Sequence, residues 1–183
     1  AGSYILATMA TKGRLKLNNF NPKDLALPLK LYKGMGLKIK KLSNSSYEIY
    51  CKTLKPIKKI STKEFPGYPT DLQAQLIATQ LKSGLKSKVV ENIFENRFIH
   101  IPELRRFGAN LSIKGNTVTI DKTSDLLGAE VMATDIRASF SLIIAAMMSK
   151  GKTVINRIYH LDRGYEDFDL KLKKCGVNIS RKK

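Results

Sequence analysis

Ser149-Lys150-Gly151 followed by Thr153-Val154-Ile155 ends an apolar helical run and opens a β-type run, and the same step occurs twice earlier in the chain. Thr11-Lys12-Gly13 leads to Leu15-Lys16-Leu17, and Lys82-Ser83-Gly84 leads to Lys88-Val89-Val90. After each β-type run a second helical run closes at another glycine, Gly36, Gly108 or Gly176, and an apolar-polar-apolar triplet follows: Leu37-Lys38-Ile39, Ala109-Asn110-Leu111, Val177-Asn178-Ile179. The first glycine recurs after 71 and then 67 residues, and the gap from first to second glycine is 23, 24 and 25 residues. Spacing this regular marks an internal repeat. Each glycine falls where a helix should stop, because glycine takes the left-handed conformation without a Cβ penalty. The β-type runs alternate with period two, so each can bury one face. The expected architecture is α/β (α+β): three repeated αβ units with helices inside and small sheets outside.

Local signals fill in the plan. Asn21-Pro22 reads as an N-cap with proline at the first helical position, and Pro28 within that helix is a possible kink. Thr70-Asp71 and Thr134-Asp135 each precede an apolar-periodic run, where a carboxylate suits a helix N-terminus. Leu72, Leu76 and Thr79, and Ile136, Phe140, Ile143 and Met147, recur at helical spacing. Gly115-Asn116 and Ser43-Asn44-Ser45-Ser46 each join two β-type runs as hairpins. The units are expected at about 1–50, 69–121 and 133–183, with the Lys- and Pro-rich segment 52–68 as a linker. Aligning Gly13 with Gly151 places Ala1 opposite Ser139, so unit one begins inside its first helix, and unit three stops before a return strand. Both ends read as cut, and the chain is expected to be a fragment, or a domain whose closing strand lies outside it.

Composition bounds the remaining classes. A chain of 183 residues with 43% apolar residues can bury a core. Its longest apolar run, Leu142 to Met148, is too short to span a bilayer as a helix. The formal charge of +18 suggests polyanionic partners, yet only eight of 33 basic residues are Arg, and the accompanying Ile and Asn bias is that of an AT-rich genome. Most of the lysines are therefore expected to be solvated surface. Cys51 and Cys175 have neither a His neighbour nor C-x-x-C spacing, so no metal or redox motif is indicated; Cys175 reads as core, and two free thiols fit a cytoplasmic location.

The few arginines are informative. Arg97 and Arg163 follow strands and Arg137 starts a helix, positions where loops gather on a rigid scaffold. Converging guanidinium groups suit a small phosphorylated acid; the alternative is structural ion pairing with Glu95, Asp135 and Asp162. Asp71 and Asp135 read either as helix caps or, more sharply, as a general base for a hydroxyl. His100 and His160 lie in related strand-to-helix turns, where local hydrogen bonding is the expected use.

Phe65-Pro66-Gly67-Tyr68-Pro69-Thr70-Asp71-Leu72-Gln73-Ala74-Gln75 resembles a signature of the UDP-N-acetylglucosamine 1-carboxyvinyltransferase family, enolpyruvyl transferases of peptidoglycan synthesis. So do Ile93 to His100, Pro102-Glu103-Leu104, Val131 to Ser139, and Arg157 to Glu166. The likeness is weak before Pro66 and close after it. It implies an inverse αβ barrel of which this chain is the second domain, with the first domain, carrying the general-acid Cys loop, absent. By the same resemblance, Asp71 would bind the sugar nucleotide and take the proton of its 3′-hydroxyl, and Ile93 would contact the uridine-diphospho-sugar. Arg97 and Arg163 would hold phosphoenolpyruvate, and Asp135 and Arg137 would line the same cleft. UDP-N-acetylglucosamine, phosphoenolpyruvate and the missing domain are the implied partners, with no nucleic acid and no membrane. Proton transfer and charge neutralisation require no metal or organic cofactor. With half a site, the chain is expected to have no turnover alone. The rivals are the sister enzyme 3-phosphoshikimate 1-carboxyvinyltransferase and a basic RNA-binding αβ-repeat module, for which the scattered seven Tyr and seven Phe form no stacking motif. Intact Asp71, Arg97 and Arg163 argue against a degenerate copy.

Overall fold

The apolar runs that precede the first glycine of each repeat form helices inside the molecule. A computed structural model describes residues 1–182. In chain order the elements are α1 (Gly2–Ala10), β1 (Arg14–Leu17), α2 (Ala26–Gly34), β2 (Leu37–Lys41), β3 (Tyr47–Cys51), β4 (Lys59–Ser61), α3 (Gln73–Gln80), β5 (Ser87–Val90), α4 (Ile101–Arg106), β6 (Leu111–Lys114), β7 (Thr117–Ile120), β8 (Glu130–Met132), α5 (Ile136–Met148), β9 (Val154–Asn156), α6 (Tyr159–Asp162) and α7 (Phe168–Lys174). Short 3-10 turns, Pro22–Leu25 and Thr70–Leu72, lead into α2 and α3.

Helices α1, α3 and α5 pack on one another. Every residue of α3 is buried, as is the run from Ala138 to Ala145 of α5. A helix covered on all sides must satisfy its polar side chains internally. In α3 this is met in part: Thr79 donates its hydroxyl proton to the Gln75 carbonyl at 2.8 Å, and Gln80 Oε1 accepts from Ile57 N at 2.8 Å and Ser87 Oγ at 3.0 Å, while Gln73 Nε2, Gln75 Oε1 and Gln80 Nε2 have no partner among the described residues.

Three small sheets lie outside these helices: antiparallel β1-β3-β2, mixed β4-β5-β7-β6, and parallel β8-β9. Alternation decides which residues face inward: Ile49 and Leu37 are buried, whereas Lys38 and Lys40 are exposed. Both expected hairpins form, with Lys114 opposite Thr117 across Gly115-Asn116, and Lys41 opposite Tyr47. Asn21 caps its turn by accepting from Lys23 N at 3.2 Å. Pro28 occupies the third position of α2, where a backbone N–H has no partner within the helix.

The structure departs from the sequence reading at four places. The segment 52–68, expected as a linker, holds β4, which pairs in parallel with β5 through Ile60 opposite Val89. Its lysines mask three buried apolar residues, Leu54, Ile60 and Tyr68, of which Ile60 lies in the strand. Val177-Asn178-Ile179 forms no strand among the described residues, because no strand lies against it as β3 lies against Leu37 and β7 against Leu111. In the first repeat the left-handed residue is Lys12 rather than Gly13, whereas Gly84 and Gly151 take φ of 90° and 86°. Finally, Cys175 is exposed rather than core, since α7 ends at the surface. Gly36 shows the strictest need for glycine: its φ is 110°, and a Cβ there would fall 2.1 Å from the Thr53 carbonyl oxygen.

Candidate active site

The 3-10 turn before α3 carries Asp71, the loop after β5 carries Arg97, and the first turn of α5 carries Arg137 behind its N-cap Asp135. Because α3 and α5 pack side by side, these segments meet at one end of the helical core. Asp71 Oδ1 accepts from Arg97 Nη1 at 3.4 Å and from Arg137 Nη1 at 3.3 Å, and its side chain remains 73% exposed. Loose, exposed pairs of this kind add little stability. They do concentrate two guanidinium groups and a carboxylate at an open rim.

Each arginine is held from behind. The Arg97 guanidinium carbon lies 3.9 Å from the centroid of the Phe94 ring, and Nη1 donates to Thr70 Oγ1 at 3.1 Å. Arg137 Nε lies 3.5 Å from Asp135 Oδ1. Asp135 is a true helix cap: the same oxygen accepts from the backbone N–H of Arg137 at 2.7 Å and of Ala138 at 2.9 Å. Burial pushes the Asp135 carboxyl up, but the two backbone N–H groups and the Arg137 guanidinium outweigh it and hold it below the usual carboxylate value.

His100 is buried beside this group, and its Nε2 has no partner among the described residues. Burial lowers its pKa from 6.5 to about 4, against upward pulls from Asp135 and the Arg97 backbone carbonyl. A folded-state pKa below the unfolded one means that the unfolded chain binds more protons in that interval. The contribution of neutral His100 is therefore complete above about pH 6.5 and is lost as pH falls toward about 4. At ~1.4 kcal/mol per pH unit this amounts to about 3 kcal/mol. Thermal unfolding of His100→Gln across that range should show a flattened acid limb; a curve of unchanged shape would overturn the assignment.

The sequence-derived site residues are only partly gathered. Asp71, Arg97, Arg137 and Asp135 form one connected cluster. Arg97 pairs with Asp71, not with Glu95. Ile93 is half-buried in the loop that carries Arg97, its N–H donating to Glu91 Oε1 at 2.9 Å. Arg163 is exposed and makes no ion pair among the described residues, because Asp162, its expected partner, is held by Arg181 at 2.7 and 3.2 Å. The turn bearing Arg163 nevertheless abuts α5: a Cβ on Gly164 would fall 2.0 Å from Ile136 Cδ1. Asp71 does not cap its helix, since its side chain turns to the two arginines instead. Thr70 and Phe94 lie within the motif strings without a role of their own there, and Glu91 carries no local signal, yet all three support Arg97. Among the described residues no group of three or more His, Cys, Asp or Glu is placed to hold a metal ion, and no helix is long and apolar enough to cross a membrane.

A carboxylate bridged by two guanidinium groups at one end of an αβ fold with its helices inside defines a class. The profile of the EPSP synthase (3-phosphoshikimate 1-carboxyvinyltransferase) family matches residues 1–172, and the chain belongs to that family. Within it, the chain is 49% identical over 183 residues to the UDP-N-acetylglucosamine 1-carboxyvinyltransferase of Pelagibacter ubique, covering 99% of this chain and 43% of that protein. It is 45% identical over 183 residues to the enzyme of the same name from Helicobacter hepaticus, again 43% of that protein. The chain thus spans less than half the length of these relatives. Among solved structures, the enolpyruvyl transferase NikO from Streptomyces tendae superposes with a TM-score of 0.87 at 24% identity, covering 98% of this chain and 42% of that one. EPSP synthase from Acinetobacter baumannii superposes with a TM-score of 0.63 at 16% identity, covering 84% of this chain and 37% of that one. These two likenesses bear on the fold alone, and they agree with the enolpyruvyl-transferase-like barrel expected from sequence.

Proposed function

We propose that this chain forms one wall of an enolpyruvyl transferase cleft, in which the enolpyruvyl group of phosphoenolpyruvate passes to the 3′-hydroxyl of UDP-N-acetylglucosamine in the cytoplasm, as a step of peptidoglycan synthesis. The single observation that carries this reading is the exposed Asp71 carboxylate bridged by Arg97 and Arg137. An anionic three-carbon donor arriving at the rim would take over the two guanidinium groups, which match carboxylate and phosphate oxygens. Asp71 Oδ1, released from them, is then free to accept the hydroxyl proton. The sugar oxygen bonds to C2 of phosphoenolpyruvate while C3 gains a proton from an acid outside this chain. The tetrahedral intermediate then gives up a C3 proton to a base outside this chain as phosphate leaves C2, which restores the C2–C3 double bond as an enol ether. Arg163 sits on an adjoining turn without a competing acid, so its guanidinium is available for the same donor as the cleft closes. Ile93 lies on the Arg97 loop, where its side chain would face the sugar nucleotide.

The names of the relatives favour UDP-N-acetylglucosamine over shikimate 3-phosphate as acceptor, and a salt-sensitive RNA-binding role has no comparable support. The general acid and the remaining phosphate ligands are assigned to the part of the relatives that this chain does not span. The test is titration of the chain with each acceptor, followed by nuclear magnetic resonance of the Asp71 and Ile93 backbone amides, together with a phosphate-release assay. UDP-N-acetylglucosamine should shift both amides, shikimate 3-phosphate should not, and no phosphate should be released by the chain alone. A preference for shikimate 3-phosphate would overturn the substrate assignment. Turnover by the chain alone that Asp71→Asn abolishes would overturn the half-site reading.

A further inference from the structure

Glu91 directly follows β5 and is 3% exposed, and among the described residues no Lys or Arg forms a salt bridge with it. Such a carboxylate is costly unless its lone pairs are filled. Here they are: Oε1 accepts from Thr62 Oγ1 at 2.9 Å, Ile93 N at 2.9 Å and Phe94 N at 3.2 Å, and Oε2 accepts from Thr70 Oγ1 at 2.8 Å. Three chain segments converge on this one group: the end of β4, the turn that carries Asp71, and the loop that carries Ile93 and Arg97.

The donor pattern fixes direction. Thr70 has one hydroxyl proton, and Glu91 takes it, so a Thr70 lone pair must face Arg97 Nη1 at 3.1 Å. Thr62 behaves alike, donating to Glu91 and accepting from Asn92 N at 2.8 Å. A hydroxyl polarised by a carboxylate is a stronger acceptor toward a guanidinium. Without that lone pair, Arg97 would keep only the ring of Phe94 and the loose contact to Asp71, which is itself exposed.

We propose that Glu91 and Thr70 are positioning residues: the buried carboxylate orients the Thr70 hydroxyl, and that hydroxyl aims Arg97 at the incoming anion. The identity of the anion as phosphoenolpyruvate rests on the function proposed above; the aiming of Arg97 does not.

Thr70→Val keeps the shape of the side chain and removes the hydroxyl, whereas Thr70→Ser keeps the hydroxyl. Glu91→Gln replaces the acceptor of the Thr70 proton with an N–H, so that the hydroxyl proton must turn elsewhere and no longer fixes a lone pair toward Arg97. The variants are compared by the order parameter of the Arg97 Nε–H bond and by titration with phosphoenolpyruvate alone. Thr70→Val should loosen Arg97 and weaken phosphoenolpyruvate binding about tenfold, the scale of one hydrogen bond to a charged group, while Thr70→Ser matches the parent. Glu91→Gln should act in the same direction as Thr70→Val; if it does not fold, the two Thr70 variants decide. An Arg97 order parameter unchanged in Thr70→Val overturns the positioning role. Failure of the parent chain to bind phosphoenolpyruvate counts against the proposed function, and the Arg97 order parameter still decides the positioning role.

Discussion

Asp71→Asn is expected to lower turnover by a factor on the order of a thousand in an enzyme completed by the part of its relatives that this chain does not span, the range seen when a positioned proton acceptor is removed. The substitution keeps the side-chain volume and leaves an amide oxygen that can still accept from Arg97 and Arg137, now at 3.4 and 3.3 Å. What it removes is the capacity to bind a proton. The loss should therefore fall on kcat more than on the KM for phosphoenolpyruvate. Since the carboxylate is 73% exposed and its pairs are loose, the melting temperature should move little. Phosphate release under saturating substrates measures the effect. A variant within tenfold of the parent would sink the assignment of Asp71 as proton acceptor, and an equal fall in stability would convert it to a structural residue.

Phe140→Ala carries the largest expected loss of stability. Phe140 is fully buried in α5, its ring stacked on Tyr165 at 4.5 Å and meeting Tyr4 edge-on at 5.4 Å. It joins α1 to α5 and ties both to the turn that follows Arg163. Removing a ring from such a site costs about 3–5 kcal/mol, through lost burial and the cavity left behind. For a domain of this size that is a fall of about 10 °C or more in melting temperature. Calorimetry reads it directly; a change of under 3 °C, on the order of 1 kcal/mol by the same scaling, would mean that the core collapses around the gap. Tyr165 Oη, 2.7 Å from Ser3 Oγ, should lose its restraint as well, so the Arg163 turn should loosen together with the core.

Much of the scaffold is written in short-range pattern. The hairpin at Gly115-Asn116, the Asn21 cap and the left-handed glycines at Gly36, Gly108 and Gly176 each depend on residues within a few positions of one another. The Asp135 cap is of the same kind: a carboxylate two and three residues ahead of the N–H groups it meets. The motif strings from Phe65 onward then led to the right family, because their length and order survive even where spacing alone leaves Asp71 open between cap and base.

Repeat spacing, helix ends and hairpins were therefore determined by sequence alone, since backbone sterics and periodicity act over roughly one helical turn or two strand residues. Tertiary structure alone decided the partners. Asp71 meets arginines 26 and 66 residues away, Asp162 is taken by Arg181 and not by its neighbour Arg163, and β4 leaves the expected linker to join β5. Glu91 finds its four donors only once three segments have folded together. The physical reason is that a long charged side chain has many acceptors of similar worth within reach, and the choice among them is made by how the buried faces of α1, α3 and α5 pack.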